Sequence, residues 1–414
     1  MSENVKKPIL LDSTGQSILA RLNEQNVYWS VLAEEQRKNT YSDISAISSI
    51  VRSNSLEVLK ERFPIGDQII VPWKDMDDSA HNTDATAYQV AWDLVDVREV
   101  EKKDGTKVPG LVLQMHKCSA YGVQFSHNQA FYKATDGLAA GTYNFTLGDN
   151  WGKVTTGTYQ FTLNQAVPAG GLLGGLYIFD RNEYTAWTIE SWATADAASY
   201  IESVSVTKGS EGTSLGTMRY TTVGTLNSMQ RSSHGHNRYS TSAIRQYLNA
   251  TGTGWWTSQE DFDIRPDQYG KHGFMSGFGD DFLAAIKPTK VVTALNTVEG
   301  YSTEFETTYD TFFLPSVEEI NCTNSQETKH LEGPYFPYWR ERLGLTDFAK
   351  IYPVIYDAYK IPALNSSSSQ SVRLRSASRY NAYSTWLVYS SGYVNDGSGY
   401  ACGAYRFSPA CVIC

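Results

Sequence analysis

A seven-residue pattern, Gly141-Thr142-Tyr143-Asn144-Phe145-Thr146-Leu147, returns as Gly157-Thr158-Tyr159-Gln160-Phe161-Thr162-Leu163. In each copy the aromatic residues take every second position and β-branched Thr lies between them, so each copy is a strand with one aromatic face. A strand cannot bury such a face alone. Ala186–Glu190 and Ile201–Val206 alternate in the same way and supply partners. The spacing therefore predicts a small antiparallel β module over residues 128–219. Within it, Pro168–Gly175 is glycine-rich, but no Gly-Lys-Ser/Thr follows, so it reads as a loop and not as a phosphate cradle.

The flanks follow other rules. Residues 1–62 read as helical: Ile18, Leu22, Val27, Val31 and Leu32, then Ile44, Ile47, Ile50 and Val51, keep helical spacing until Pro64 stops the run. Such a segment has no closed core, so it either docks on the following domain or drives homo-oligomerisation. From Phe63 the period changes to that of strands, at Ile69–Val71, Tyr88–Val95 and Leu111–Met115, with an Asp104-Gly105 hairpin turn. Residues 63–127 and 220–414 together look like one α+β domain interrupted by the β module. In the second part, one short helix begins among Ser240, Thr241 and Ser242, and another at Asp280-Asp281. Ser316 and Glu319 have capping-box spacing, which leaves Glu318 on a solvated face.

Charge and composition exclude several functions. The net charge of −9 repels phosphate backbones, and no dense basic cluster is present, so nucleic acid is not an expected partner. No apolar run reaches the roughly 18–20 residues of a membrane span. The polar start MSENVKK lacks a secretory apolar stretch. The expectation is a chain made in a bacterial cytoplasm, with no membrane insertion. Cys411 and Cys414 form one CxxC spacing with no second pair, so buried thiols are expected and no zinc site. His234 and His236 lack a third ligand nearby, and Gly277–Asp281 lacks the spaced oxygens of a calcium loop. With no nucleophile elbow or zinc-protease motif, no catalytic residue, metal or cofactor is assigned, and a non-enzymatic role is expected.

The chain holds 27 Tyr against 10 Trp and 16 Phe. The tyrosines gather between Arg379 and Arg406, where Lys and Glu are absent and Asn, Ser and Gly alternate with them. Tyr offers a large rigid contact area with a polar tip, and Ser, Gly and Asn adapt hydrogen bonds around it, as in an antibody paratope. The plainer reading is a Tyr-rich hairpin whose rings only pack together.

Leu374–Arg379, Trp386, Ser391–Val394 and Tyr405–Ala410 resemble the carboxyl-terminal end of the C-type lectin-fold variable proteins of diversity-generating retroelements. Ser242–Asn249 and Phe313–Glu319 resemble related phage and gut-bacterial domains of unknown function. Arg373 departs from the pattern, since such sequences often carry Trp there. The resemblance implies a C-type lectin-like domain with an inserted β module and an N-terminal helical segment. It also implies a variable region over 379–406, copied from a template with errors at adenines. The ligand-binding positions it implies are Tyr380, Asn381, Tyr383, Ser384, Leu387, Tyr389, Ser390, Tyr393, Asn395, Asp396, Ser398, Tyr400, Cys402 and Tyr405. Arg375, Trp386, Arg406, Pro409 and Ala410 are its framework. The implied protein is a phage- or prophage-encoded receptor-binding component on the virion surface, whose partner is a host-surface protein or glycan. The alternatives are a structural virion component with no variable site, and an enzyme on the same fold with a reactive cysteine pair in a cleft.

Overall fold

The computed structural model describes residues 39–75, 88–127, 130–134, 136–148, 156–169, 171–174, 187–192, 199–218, 235–259, 263, 265–297, 301–322, 332–342, 357–379, 382–397 and 399–414. The helical positions Ile18 to Leu32, His234, and three of the implied binding positions (Tyr380, Asn381 and Ser398) lie outside the described residues. So does Ala186, at the start of one expected strand. The described chain is a mixed α+β structure of several small sheets and few helices.

The largest body is built on a six-stranded sheet in the order Thr40–Tyr41, Gln68–Trp73, Tyr88–Glu101, Lys107–Met115, Ala410–Ile413 and Phe312–Phe313. Only the first pair is parallel; the rest are antiparallel. The two long central strands alternate apolar residues over most of their length, and the hairpin between them turns where expected. Gly105 there sits at φ 82°, a left-handed conformation open to glycine, and Asp104 Oδ1 accepts the Thr106 N–H at 2.9 Å. The short strand Thr40–Tyr41, unmarked in the sequence, adds an edge: Asn39 and Tyr41 both donate to the buried carboxylate of Asp67.

Asp43 caps the helix Ile44–Ser53 by accepting the Ala46 N–H at 2.9 Å. Its residues Ile44, Ile47 and Val51, with Leu59 of the helix Leu56–Arg62, are buried in the same core as the sheet. Trp92 lies at the centre of that core, with the rings of Phe278, Phe282 and Phe312 at 6.1, 5.8 and 5.7 Å. Tilted ring pairs of this kind each contribute about 0.5–1.5 kcal/mol beyond their buried area.

The repeat explains itself in the second, seven-stranded sheet, which runs 213–218, 141–147, 157–163, 199–208, 187–192, 171–174, 130–134. The two copies pair antiparallel, with Gly141 opposite Leu163 and Leu147 opposite Gly157. Reversing one copy places Tyr143 against Phe161 and Phe145 against Tyr159, both stacked at 6.0 Å, while Thr142 and Thr162 hydrogen-bond on the other face. One sequence used twice thus makes two complementary cross-strand pairs.

Three expectations fail here. The sheet is not wholly antiparallel, since Thr213–Met218 runs parallel to Gly141–Leu147. Gly171–Gly174 is not a loop but a strand hydrogen-bonded to 130–134 and 187–192, since main-chain pairing needs no side chains. Glu318 is not solvated: it is buried, and its Oε2 accepts the Glu332 N–H at 2.5 Å. The reciprocal capping-box bonds do form, Glu319 N–H to Ser316 Oγ at 3.1 Å and Ser316 N–H to Glu319 Oε2 at 3.0 Å, but they close a turn and no helix follows. Ser242 fits its expectation, accepting the Arg245 N–H to start the helix Ala243–Leu248.

Candidate ligand-binding face

The residues from Val372 onward form a three-stranded sheet of Val372–Ala377, Thr385–Val388 and Val394–Asn395. Val372, Val388 and Val394 lie opposite one another across it, as do Arg373, Leu387 and Asn395. Side chains alternate between faces along a strand, so Trp386 shares the side of Val388, and both are buried.

The stretch from Asp396 to Tyr405 returns over the Arg373–Leu387 side. The Gly399 carbonyl accepts the Thr385 N–H at 2.8 Å, and the Tyr383 carbonyl accepts the Ala401 N–H at 2.7 Å. Gly399 must be glycine on steric grounds, because a Cβ there would lie 1.9 Å from the Thr385 carbonyl oxygen. The far side of the loop is tied to the first part of the domain. Ala404 and Tyr405 pair with Gln124 and Val123, and Gln124 Nε2 donates to the Cys402 carbonyl at 3.0 Å.

Arg373 fastens this loop from below. It is fully buried, and its guanidinium donates to the carbonyls of Gly399 (2.9 Å), Tyr400 (2.8 Å) and Gly403 (2.8 Å) and to Thr385 Oγ1. The rings of Phe125 and Tyr405 lie over it at 5.8 and 4.6 Å. None of these partners is a carboxylate, so burial pulls its pKa down to about 10. Arg375, two residues on, is buried differently. It pairs with Glu319 and donates to the carbonyls of Leu314, Val292 and Glu332. Burial disfavours its charge, but the carboxylates of Glu319 and Glu332 outweigh that and hold its pKa above the ordinary value.

The implied binding residues divide cleanly. Tyr383, Tyr389, Tyr393, Asn395, Asp396, Tyr400, Cys402 and Tyr405 are half-buried, and Ser390 is exposed in the turn after Thr385–Val388. Tyr383 and Tyr400 pack ring to ring at 5.9 Å, as do Tyr389 and Tyr393, and Asn395 Nδ2 donates to the Tyr393 hydroxyl at 3.1 Å. Leu387 and Ser384, by contrast, are buried at 0% and 2% exposure. Leu387 is the floor beneath the loop, with its Cγ 3.4 Å from where a Gly399 Cβ would be. The Ser384 carbonyl holds Asn237 Nδ2 at 2.8 Å. Neither side chain reaches a ligand, so both belong to the support. The framework residues Arg375, Trp386, Pro409 and Ala410 are buried, and Arg406 reaches the Ser119 carbonyl at 2.9 Å.

No sequence pattern marks Arg373 as the fastening residue. The available signal is two arginines, 373 and 375, in an otherwise apolar strand with no neighbouring carboxylate. The face as built presents polar-tipped rings on a main chain held from beneath. Among the described residues, no three His, Cys, Asp or Glu side chains cluster as metal ligands, and no helix is long and apolar enough to cross a membrane.

Comparison with curated proteins and with solved structures returns no match. Residues 213–414, which carry the loop face, Arg373 and the closing strand of the main sheet, match the family described as a domain of unknown function, DUF6273.

Proposed function

We propose that this chain is a non-enzymatic receptor-binding protein whose loop face is a hypervariable, Tyr-rich surface of the C-type lectin-like kind. In this reading, residues 63–127 and 220–414 form the C-type lectin-like domain and 128–219 the insertion. The face is diversified by retroelement copying over 379–406 and displayed on a phage particle, where it contacts a host-surface protein or glycan. The observation that carries the reading is the division of side chains along one loop. Tyr383, Tyr389, Tyr393, Asn395, Asp396, Tyr400 and Tyr405 are half-buried and Ser390 is exposed, while the main chain beneath them is held by buried groups. A surface meant to change needs such an arrangement, because contact residues vary freely only where they do not also support the fold.

The test exchanges residues 379–406 for a related variant sequence and measures binding to a panel of bacterial cells. The expected outcome is a changed target range with unchanged thermal stability. An unchanged target range would favour the structural virion component instead. In the neighbouring DNA, a reverse transcriptase gene beside a near-copy of the final coding segment, differing only at adenines, is expected.

A further inference from the structure

A shallow, solvent-open cleft takes none of its walls from residues 379–406; its polar lining is Asp93, Gln114, His116, Trp339, Arg342 and Lys360. Within it the acceptors are already used. Asp93 is buried and accepts from Gln68 Nε2 at 2.8 Å, His116 Nδ1 at 2.8 Å and the Tyr338 hydroxyl at 2.9 Å. Burial pushes this carboxyl up, but the hydrogen bond and charge of His116, then the bonds of Gln68 and Tyr338, outweigh it and hold Asp93 below its ordinary value. Gln114 is likewise committed at both ends, accepting from Trp339 Nε1 at 2.8 Å and donating to Ser408 Oγ at 3.2 Å.

What remains is one imidazole nitrogen and two cations. An ionised carboxylate only accepts, so His116 donates through Nδ1. Its Nε2 meets no partner among the described residues, on a side chain one-third exposed (33%). Arg342 donates to the Tyr338 hydroxyl at 2.6 Å and lies over the Tyr338 and Trp339 rings at 5.7 and 5.5 Å. No carboxylate of the described residues reaches it. Among the described residues Lys360 pairs only with Asp357, whose side chain is 89% exposed, and such surface pairs exchange readily. Tyr338 links the set, since it donates to Asp93 while accepting from Arg342.

We infer that this cleft is an oxyanion site, taking a phosphate group through Arg342 and Lys360, with a hydroxyl of the phosphate donating to His116 Nε2. A guanidinium held by a hydroxyl and two ring faces retains donors in the fork geometry that matches phosphate. The Asp93 carboxylate orients the imidazole and leaves its other nitrogen for the ligand.

The full chain is titrated with inorganic phosphate, glucose 6-phosphate and glucose while the His116 ring resonances are followed by NMR. Phosphate is expected to give a saturable shift with a Kd on the order of 1 mM, and glucose none. Tighter binding of glucose 6-phosphate than of phosphate identifies a sugar phosphate as the source, and equal binding identifies the free ion; both support the site. Arg342→Gln is expected to weaken binding at least tenfold. Lys360→Gln, at a more exposed position, gives the same reading by a smaller factor should the first variant fail to fold. Absence of a saturable shift with either phosphate, or unchanged affinity in both variants, overturns the inference.

Discussion

Arg373 is a cation buried without an anion, and the cost of that burial is offset by four hydrogen bonds and two ring faces. Replacing it with Met removes the charge but leaves the carbonyls of Gly399, Tyr400 and Gly403 without their buried donor. Each unsatisfied buried group costs about 1–3 kcal/mol, and the desolvation recovered from Arg returns part of it, so a net loss of about 3 kcal/mol is expected for Arg373→Met. Urea unfolding measures it, and the amides of 399–403 should lose protection from exchange first. Three of the four partners are main-chain carbonyls, which every residue type supplies. The latch is therefore indifferent to the side chain at 400, though not to the number of residues in the loop. Nothing in a single sequence distinguishes such an arginine from a solvated one, because its carbonyl partners lie 26–30 residues downstream.

At the level of elements, legibility followed locality. The repeat at 141–147 and 157–163 was readable because its pattern and its pairing partner lie within one hairpin. The cap at Ser242 is likewise made by a side chain three residues from the N–H it binds. Leu387 was misplaced because both faces of its strand are covered, one by the core and one by the loop that returns over it. Periodicity shows an apolar residue there but not what covers it. Glu318 failed for the same reason, its partner arriving from residue 332. The return of the loop depends on Gly399. Gly399→Ala places a methyl against the Thr385 carbonyl, and main chain cannot yield as a flexible side chain does. A loss of about 2–3 kcal/mol is expected, with displacement of 396–403 but not of Val372–Ala377, which cross-peak shifts in NMR spectra would localise.

For the whole molecule, alkaline pH reports on the common core. Burial pushes the Cys118 thiol up from 9.0 to about 12, against the pull of the Arg406 guanidinium. A group whose folded pKa is raised contributes stability that is complete below its unfolded value. Between pH 9 and 12 the unfolded thiol ionises while the folded one keeps its proton, so stability falls as pH rises. By pH 11 the loss is roughly 3 kcal/mol, at 1.4 kcal/mol per pH interval of difference. Cys118→Ala should flatten this limb, seen as a smaller drop in urea midpoint between pH 8.5 and 11. Arg373 acts in the opposite direction, since its lowered pKa relieves a buried charge above about pH 10. That effect is present in both proteins and cancels in the comparison.

Ala410–Ile413 lies between Lys107–Met115 and Phe312–Phe313 in the main sheet, only a few residues beyond the loop face. Any shift of reading frame within the segment coding for 379–406 would rewrite this strand as well. The apolar sequence that joins Lys107–Met115 to the edge strand Phe312–Phe313 would be lost, and with it the fold. Substitutions in the loop leave the strand untouched. Protein made from this coding segment is thus sorted by its own folding: miscoded frames are exposed to proteolysis, while in-frame changes at the half-buried and exposed loop positions leave the closing strand intact.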